Sequence, residues 1–573
     1  MGIVRPNLLL IGLLAASLAA CDKPVSPEPA GDATWVFRNG RVYTVDAERP
    51  WAEAVAVTGN RITYVGPDAG VEKHIGTATK VIDLDGRMLL PAFQDSHIHP
   101  IGGGMQANAC DLTDLNDLAA YRSKIAACAR AEPDAPWILG GGWLMSVFGP
   151  GAAPSRLIID ELVPDRPVYL ESSDGHTGWA NSKALAIAGV SAETPDPPDG
   201  IIDREPGTGE PVGSLQEGAM NLVTRVIPPA TLESRVMGLR YTRDMLHAFG
   251  ITSIQDAGVR PADLEAYAYL DDRDELGLRV VASLYWDREQ GLEQIDALLR
   301  LREQYSGRRN LRATTVKVMQ DGVMENYTAA MLEPYLVPSG TRGIPMIEPD
   351  LLKRAVMELD AKDFQVHFHA IGDAAVRQCL DAIEAAIDAN GRRGNRHHVS
   401  HIQMFDPADI PRFAELDATA NFQPLWAYAD DYVTELTIPF IGEERARWMY
   451  PIKSVQDTGA RIAFGSDWSV SSANPFQQIE VALTRQDPLL ESATAFIPEE
   501  RIDLASAIAA FTINAAYVNS HDDSTGSIET GKLADLIVID RNLFEIDPHE
   551  ISEAEVLLTL FDGQPVHGDP GSL

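Results

Sequence analysis

The chain has 573 residues, room for two or three domains or for one large barrel with additions, and its 45% apolar content argues against wholesale disorder. Asp and Glu number 83 against 47 Lys and Arg, a formal charge of -36. A surface of that sign repels phosphate backbones and argues against nucleic-acid binding by counterion release, while leaving catalysis open.

The N-terminal stretch MGIVRPNLLLIGLLAASLAAC carries one basic residue, Arg5, then an apolar run short for a bilayer span, then small residues and Cys21. This is the layout of an export signal rather than of a transmembrane helix. The ending LAAC resembles the lipobox of bacterial lipoproteins. It implies a lipoprotein-type signal peptide over 1–21, with Cys21 the lipid-bearing first residue of a protein held on the periplasmic side of a bacterial membrane. Ordinary signal cleavage with an incidental Cys21 is the alternative. DKPVSPEPAGDA then reads as a flexible tether over 22–33. The remaining cysteines, Cys110, Cys128 and Cys379, have no CxxC spacing and support neither a disulfide framework nor a cysteine metal site. A Cys110–Cys128 bridge stays open.

From 34 to 86, alternating apolar residues and NG, GN and DG turns predict small antiparallel strands. Residues 520–573 have the same character, and the two ends are expected to complete one composite β-sandwich. MLLPAFQDSHIH follows, read as a buried strand ending in His97 and His99. The stretch from about 104 to 234 reads as an insertion, a lid or subdomain. From 235 onward helices and strands alternate: GITSIQDAG, LRVVASLYW, LRATTVKVMQDG, FQVHFHAIGD, RHHVSHIQMF, TANFQPLW and RIAFGSDWSV are the strands. With the opening strand they number eight. The expected fold is α/β, a (β/α)8 TIM-type barrel over 87–519, with the β-sandwich from both chain ends and the insertion after strand 1.

Residues two apart on a strand share a face, so His97 and His99 converge on one point. Alone the pair is weak, because His367 and His369 repeat the spacing. Read at the strand ends in order, His97, His99, Lys317, His369, His401 and Asp467 meet at the C-terminal face of the barrel, where barrel active sites lie. Three histidines suffice for one zinc. A lysine among them repels a cation unless its amine has added CO2 to become a carbamate, whose two oxygens can bridge two ions. His367 instead of His369 as ligand, and a plain Lys317 paired with Asp321, are the alternatives. Asp467 could also simply cap its turn, and His397 and His398 could be packing residues.

These residues, with PAFQDSHIHP, ESSDGHTGWANSKAL, VKVMQDGVMENYTAAMLEPY, HFHAIGDAAV, HHVSHIQ, FGSDWSV and TGSIETGKLADLIVID, resemble the amidohydrolase superfamily. The closer likeness is to its amidohydrolase-3 branch, which contains N-substituted formamide deformylases. It covers nearly all of the mature chain, with Ala92 standing where glycine is usual. The resemblance implies two divalent ions, most readily zinc, with His97, His99 and Asp467 on one and His369 and His401 on the other. Carboxylated Lys317 and a hydroxide would bridge them, and Asp467 would act as general base. It implies hydrolysis of a C–N bond in a small-molecule amide: an N-substituted formamide, an N-acyl compound or a relative. His176, Trp179 and Tyr327 are the candidate substrate-binding residues, with Trp143 and Trp426 as further aromatics. A mononuclear deaminase of the same superfamily is the runner-up, although Gly372 stands where those enzymes carry glutamate. A solute-binding lipoprotein is the rival from another class. A homo-oligomer is left open.

Overall fold

The computed structural model describes residues 1–2, 32–149, 153–490 and 494–573. Residues 3–21 of the expected signal peptide, with Cys21, and nearly all of the expected tether lie outside the described residues. Eight parallel strands form one sheet: Phe93–Ile98, Ile251–Val259, Arg279–Tyr285, Leu311–Met319, Gln365–Ala370, His398–His401, Thr419–Phe422 and Ile462–Phe464. They are the eight read from the sequence. The last meets the first where the Ser96 hydroxyl donates to Phe464 O at 2.7 Å and Asp467 N–H to His97 O at 2.8 Å. The strands Phe93–Ile98, Gln365–Ala370 and His398–His401 are buried along their whole length, as strands covered on both faces must be. Amphipathic helices such as Leu232–Ala248 and Asp373–Asn390 cover them.

The run 88–98 is two strands rather than one. Met88–Pro91 pairs antiparallel with Leu536–Ile539 in a six-stranded sheet drawn from both chain ends. At Ala92 the backbone changes partners: Ala92 N–H donates to Asp535 O at 2.9 Å and Phe93 N–H to Gly250 O at 2.9 Å. Burial does not mark this break, because both halves are buried at every position. A four-stranded sheet from residues 35–83 packs on the six-stranded one through Trp35, Phe37, Val55, Leu89 and Leu536.

The insertion has its own six-stranded sheet, in the order Gly200–Arg204, Pro211–Glu217, Thr177–Ala180, Val168–Ser172, Ile138–Trp143 and Cys110–Asp111. A disulfide joins Cys110 on its edge to Cys128 in the helix Leu118–Ala131, leaving Cys379 free and buried. The Tyr432 hydroxyl, in the loop after the seventh barrel strand, accepts from Met145 N–H at 3.0 Å and fastens the insertion over the barrel mouth. No described helix is long and apolar enough to cross a membrane.

Candidate metal centre

Parallel register brings strand-end residues level. Lys317 lies opposite His367, Met319 opposite His369, and Ala370 opposite His401. The barrel thereby gathers all six candidate ligands in one place. His97 Nε2 and His99 Nε2 lie 3.3 and 3.1 Å from Asp467 Oδ1. The donor atoms of His97, His401 and Asp467 all fall within 4.8 Å of one another. Lys317 Nζ is 3.5 Å from His97 Nε2, and the His369 ring centroid is 4.5 Å from that of His401. His401 and Asp467 hold left-handed backbone, φ 81° and 53°, a conformation that costs non-glycine residues energy and clusters at functional sites.

Burial sets the charges. It pushes His97 down to about 3, with the Lys317 charge adding to the effect, and holds His369 and His401 well below the usual histidine range. The imidazoles are therefore neutral, the form that ligates metal. Burial opposes ionisation of Asp467, but His97 and His99 outweigh it and keep the carboxylate charged. Lys317 is buried, which lowers it to about 7. Among the described residues no carboxylate lies within ion-pair distance of Nζ. Asp321, its alternative partner, accepts instead from the N–H groups of Ala330, Ile371 and Gly372.

Asp467 Oδ1 is among the buried polar atoms that lack a hydrogen-bond partner, and such an orphan is costly in a folded interior. Neutral imidazoles, an ionised carboxylate and an unpaired buried lysine in one cluster fit divalent cations. The other HxH histidine has a different role. His367 shares a 2.9 Å hydrogen bond from Nε2 to His97 Nδ1 and has Ser400 Oγ at 2.9 Å and Ser283 Oγ at 3.1 Å. It orients His97. His369 makes no such bonds; its Nδ1 faces Asp321 Oδ1 at 3.3 Å, so Nε2 is the ring nitrogen that would meet a metal. His397 is tied to Asp360 at 3.1 Å and His398 stacks on His367 with centroids 4.1 Å apart, so both are packing residues.

His176 reaches the centre from the insertion, its ring 5.3 Å from that of His369. Its Nδ1 lies 2.9 and 3.0 Å from the two Glu217 oxygens, and Glu217 also accepts from the Thr328 hydroxyl at 2.8 Å. Burial opposes a charge on His176, but Glu217 raises it to about 9. Trp179 does not come to the site. It is fully buried in the insertion core against Trp143 and Phe148, donating Nε1–H to Ser155 O. Its alternation along Thr177–Ala180 turns it away from His176. Tyr327 likewise packs on Tyr335 and Phe440. Trp426 does come to the site: it stacks on His401 with centroids 5.2 Å and planes 3° apart.

Sequence reasoning passed over Asp95, which accepts from His97 N–H at 3.0 Å and Ser466 N–H at 3.1 Å, and Gln423, whose Oε1 is 2.9 Å from His401 Nδ1. Asp95 stands two residues before His97 and was findable by alternation; Gln423 and Glu217 carried no local signal.

A closed barrel with histidines, a lysine and an aspartate converging at its C-terminal mouth defines a metal-dependent hydrolase centre. The sequence model of the amidohydrolase family matches residues 80–567, and the chain belongs to that family, in its amidohydrolase-3 branch. It is 32% identical to Protein LONG AFTER FAR-RED 3 of Arabidopsis thaliana over 95% of this chain and 93% of that protein. It is 27% identical to the N-substituted formamide deformylase of Arthrobacter pascens over 92% and 96% of the two chains. An uncharacterized metal-dependent hydrolase from Pyrococcus horikoshii shares the fold, with TM-score 0.71 and 23% identity over 90% of this chain and 99% of that one.

Proposed function

We propose that the protein hydrolyses a C–N bond of a small-molecule amide, an N-substituted formamide, N-acyl compound or relative, at a two-zinc centre. The observation that carries this reading is Lys317, a buried amine among neutral histidines with no carboxylate partner. As a carbamate it would be an anion able to serve two metal ions, and its burial would cease to be anomalous. His97, His99 and Asp467 would hold one ion, and His369 and His401 the other. When bound, the ions supply a lowered water pKa and a polarised scissile carbonyl.

The side chains do the rest. Ionised Asp467 would take the proton of the attacking water and pass it to the leaving nitrogen. His176, held by Glu217, would offer an N–H donor to the reacting carbonyl oxygen. Likeness to the formamide deformylase supports the amide class. Export and lipid anchoring at Cys21 belong to the same reading, and the Cys110–Cys128 disulfide suits an oxidising compartment.

Metal content and formamidase activity of the soluble chain, beside Lys317→Ala, test it. About two zinc per wild-type chain are expected, falling with activity in the variant. One metal with deaminase activity, or no metal at all, would overturn it.

A further inference from the structure

Beside the metal centre lies a cavity of about 570 Å³, the size that holds a small molecule. Its wall follows directly on from the centre: Ile371 is two residues past His369, Gln403 two past His401, Val470 three past Asp467, and Trp426 is the ring stacked on His401. Five carboxylic side chains line it, Asp174, Glu325, Asp430, Asp431 and Asp487, and among the described residues the lining holds no Lys, Arg or His. Asp431 is exposed at the rim and the other four are partly buried.

Among the described residues none of the five has an ion-pair partner. Some buried carboxylates of the chain pair with arginine, as Asp535 and Asp562 with Arg279 and Asp409 with Arg377, and others, Asp95 and Asp321, accept from two or three backbone N–H groups. Asp174 makes the contrast sharpest. Its Oδ1 accepts from Ser172 Oγ at 2.6 Å and His176 N–H at 2.8 Å, which locks the side chain, while Oδ2 is buried without a partner. The nearest positive group, the His176 ring, is already paired with Glu217. The overall acidity of the chain does not account for this, because fully hydrated surface carboxylates keep their ordinary acidity. Here burial pushes Glu325 up to about 7, with Asp174 adding repulsion, and Asp430 up to about 6, with Asp431 and Asp487 adding theirs. Trp426 and Tyr428 complete the wall with aromatic faces, which attract organic cations.

We propose that this cavity binds the remote end of the substrate and selects one that carries a positive charge, an alkylammonium or similar organic cation. The assignment of that substrate as an amide rests on the amidohydrolase reading above. A bound cation would relieve the mutual repulsion of the carboxylates.

Choline and its neutral isostere 3,3-dimethylbutanol test the cavity by calorimetry, with no turnover needed. Choline is expected to bind the zinc-loaded protein roughly tenfold tighter or better, and Glu325→Gln and Asp430→Asn to narrow that gap. Where one variant fails to fold by circular dichroism, the other carries the comparison. Equal binding of the two probes, or a gap unchanged in the folded variants, overturns the proposal. So does calcium binding that the variants abolish without any preference for choline, which would assign the carboxylates to a metal. Turnover separates the two readings. N-(4-aminomethylbenzyl)formamide should exceed its 4-methylbenzyl analogue in kcat/KM, and equal hydrolysis of both overturns the cavity proposal while leaving the amidase standing. Hydrolysis of neither, with choline still preferred, supports the charge selection and removes the amidase.

Discussion

His367→Phe separates the two HxH histidines. Phenylalanine is close to histidine in shape, so the substitution leaves the ring packing against His97 and His398 largely intact. It deletes the 2.9 Å link to His97 Nδ1 and the contacts to Ser400 and Ser283. For His97 to offer Nε2 to a metal, Nδ1 must carry the proton and donate it to His367. Without that acceptor the buried Nδ1–H is orphaned, at a cost of about 1–3 kcal/mol. Loss of such a supporting contact weakens metal binding about 10–100-fold, or about 1.4–2.8 kcal/mol, so the two routes agree. Zinc affinity is read by chelator competition, stoichiometry by metal analysis, and stability by melting the metal-free protein. His367→Phe should keep both metals at reduced affinity, whereas His369→Ala should lose about one per chain. A His367→Phe protein that loses a full equivalent while His369→Ala keeps two would refute the assignment. An unchanged zinc affinity with a lowered metal-free melt would reduce His367 to a packing residue.

Reducing the Cys110–Cys128 bridge, or replacing both cysteines by serine, reopens a loop spanning 18 positions and should cost the insertion roughly 3 kcal/mol. Amide exchange in the helix Leu118–Ala131 reads it, and unchanged protection under reductant would refute it. Burial raises Glu325 from an ordinary 4.5 to about 7, so between those values the folded chain holds a proton that the unfolded chain has released. The favourable contribution of the protonated form is complete below about 4.5 and is lost as pH rises through about 7. Glu325→Gln should therefore gain on the order of 3 kcal/mol over wild type at alkaline pH and little at acidic pH, by denaturant unfolding. A difference independent of pH would refute it. Cys21→Ser should release the protein from membranes into the soluble fraction; equal membrane retention would remove the lipid anchor.

The sequence by itself determined the barrel and most of the centre. Short strand-like segments between amphipathic helices leave few ways to bury both faces of a parallel sheet, alternation places His97 with His99, and the order of the segments sets Lys317, His401 and Asp467 at or just past strand ends. What it could not decide were matters of distance across the fold. Alternation treats His367 and His369 alike, and only barrel closure shows that one meets His97 while the other faces Asp321. The run 88–98 changes sheets at Ala92 because Asp535, more than 400 positions away, supplies the acceptor. Trp179 looked like a pocket aromatic but fills a local core, whereas Trp426, from a distant loop, stacks on His401. The cavity carboxylates come from separate loops around positions 174, 325, 430 and 487, each unremarkable in a chain so acidic. Local pattern reports which face a residue shares with its neighbours. Which distant charge, ring or backbone group it meets there depends on how the loops close, and in this protein that closure brings the unpaired acids beside the metal centre.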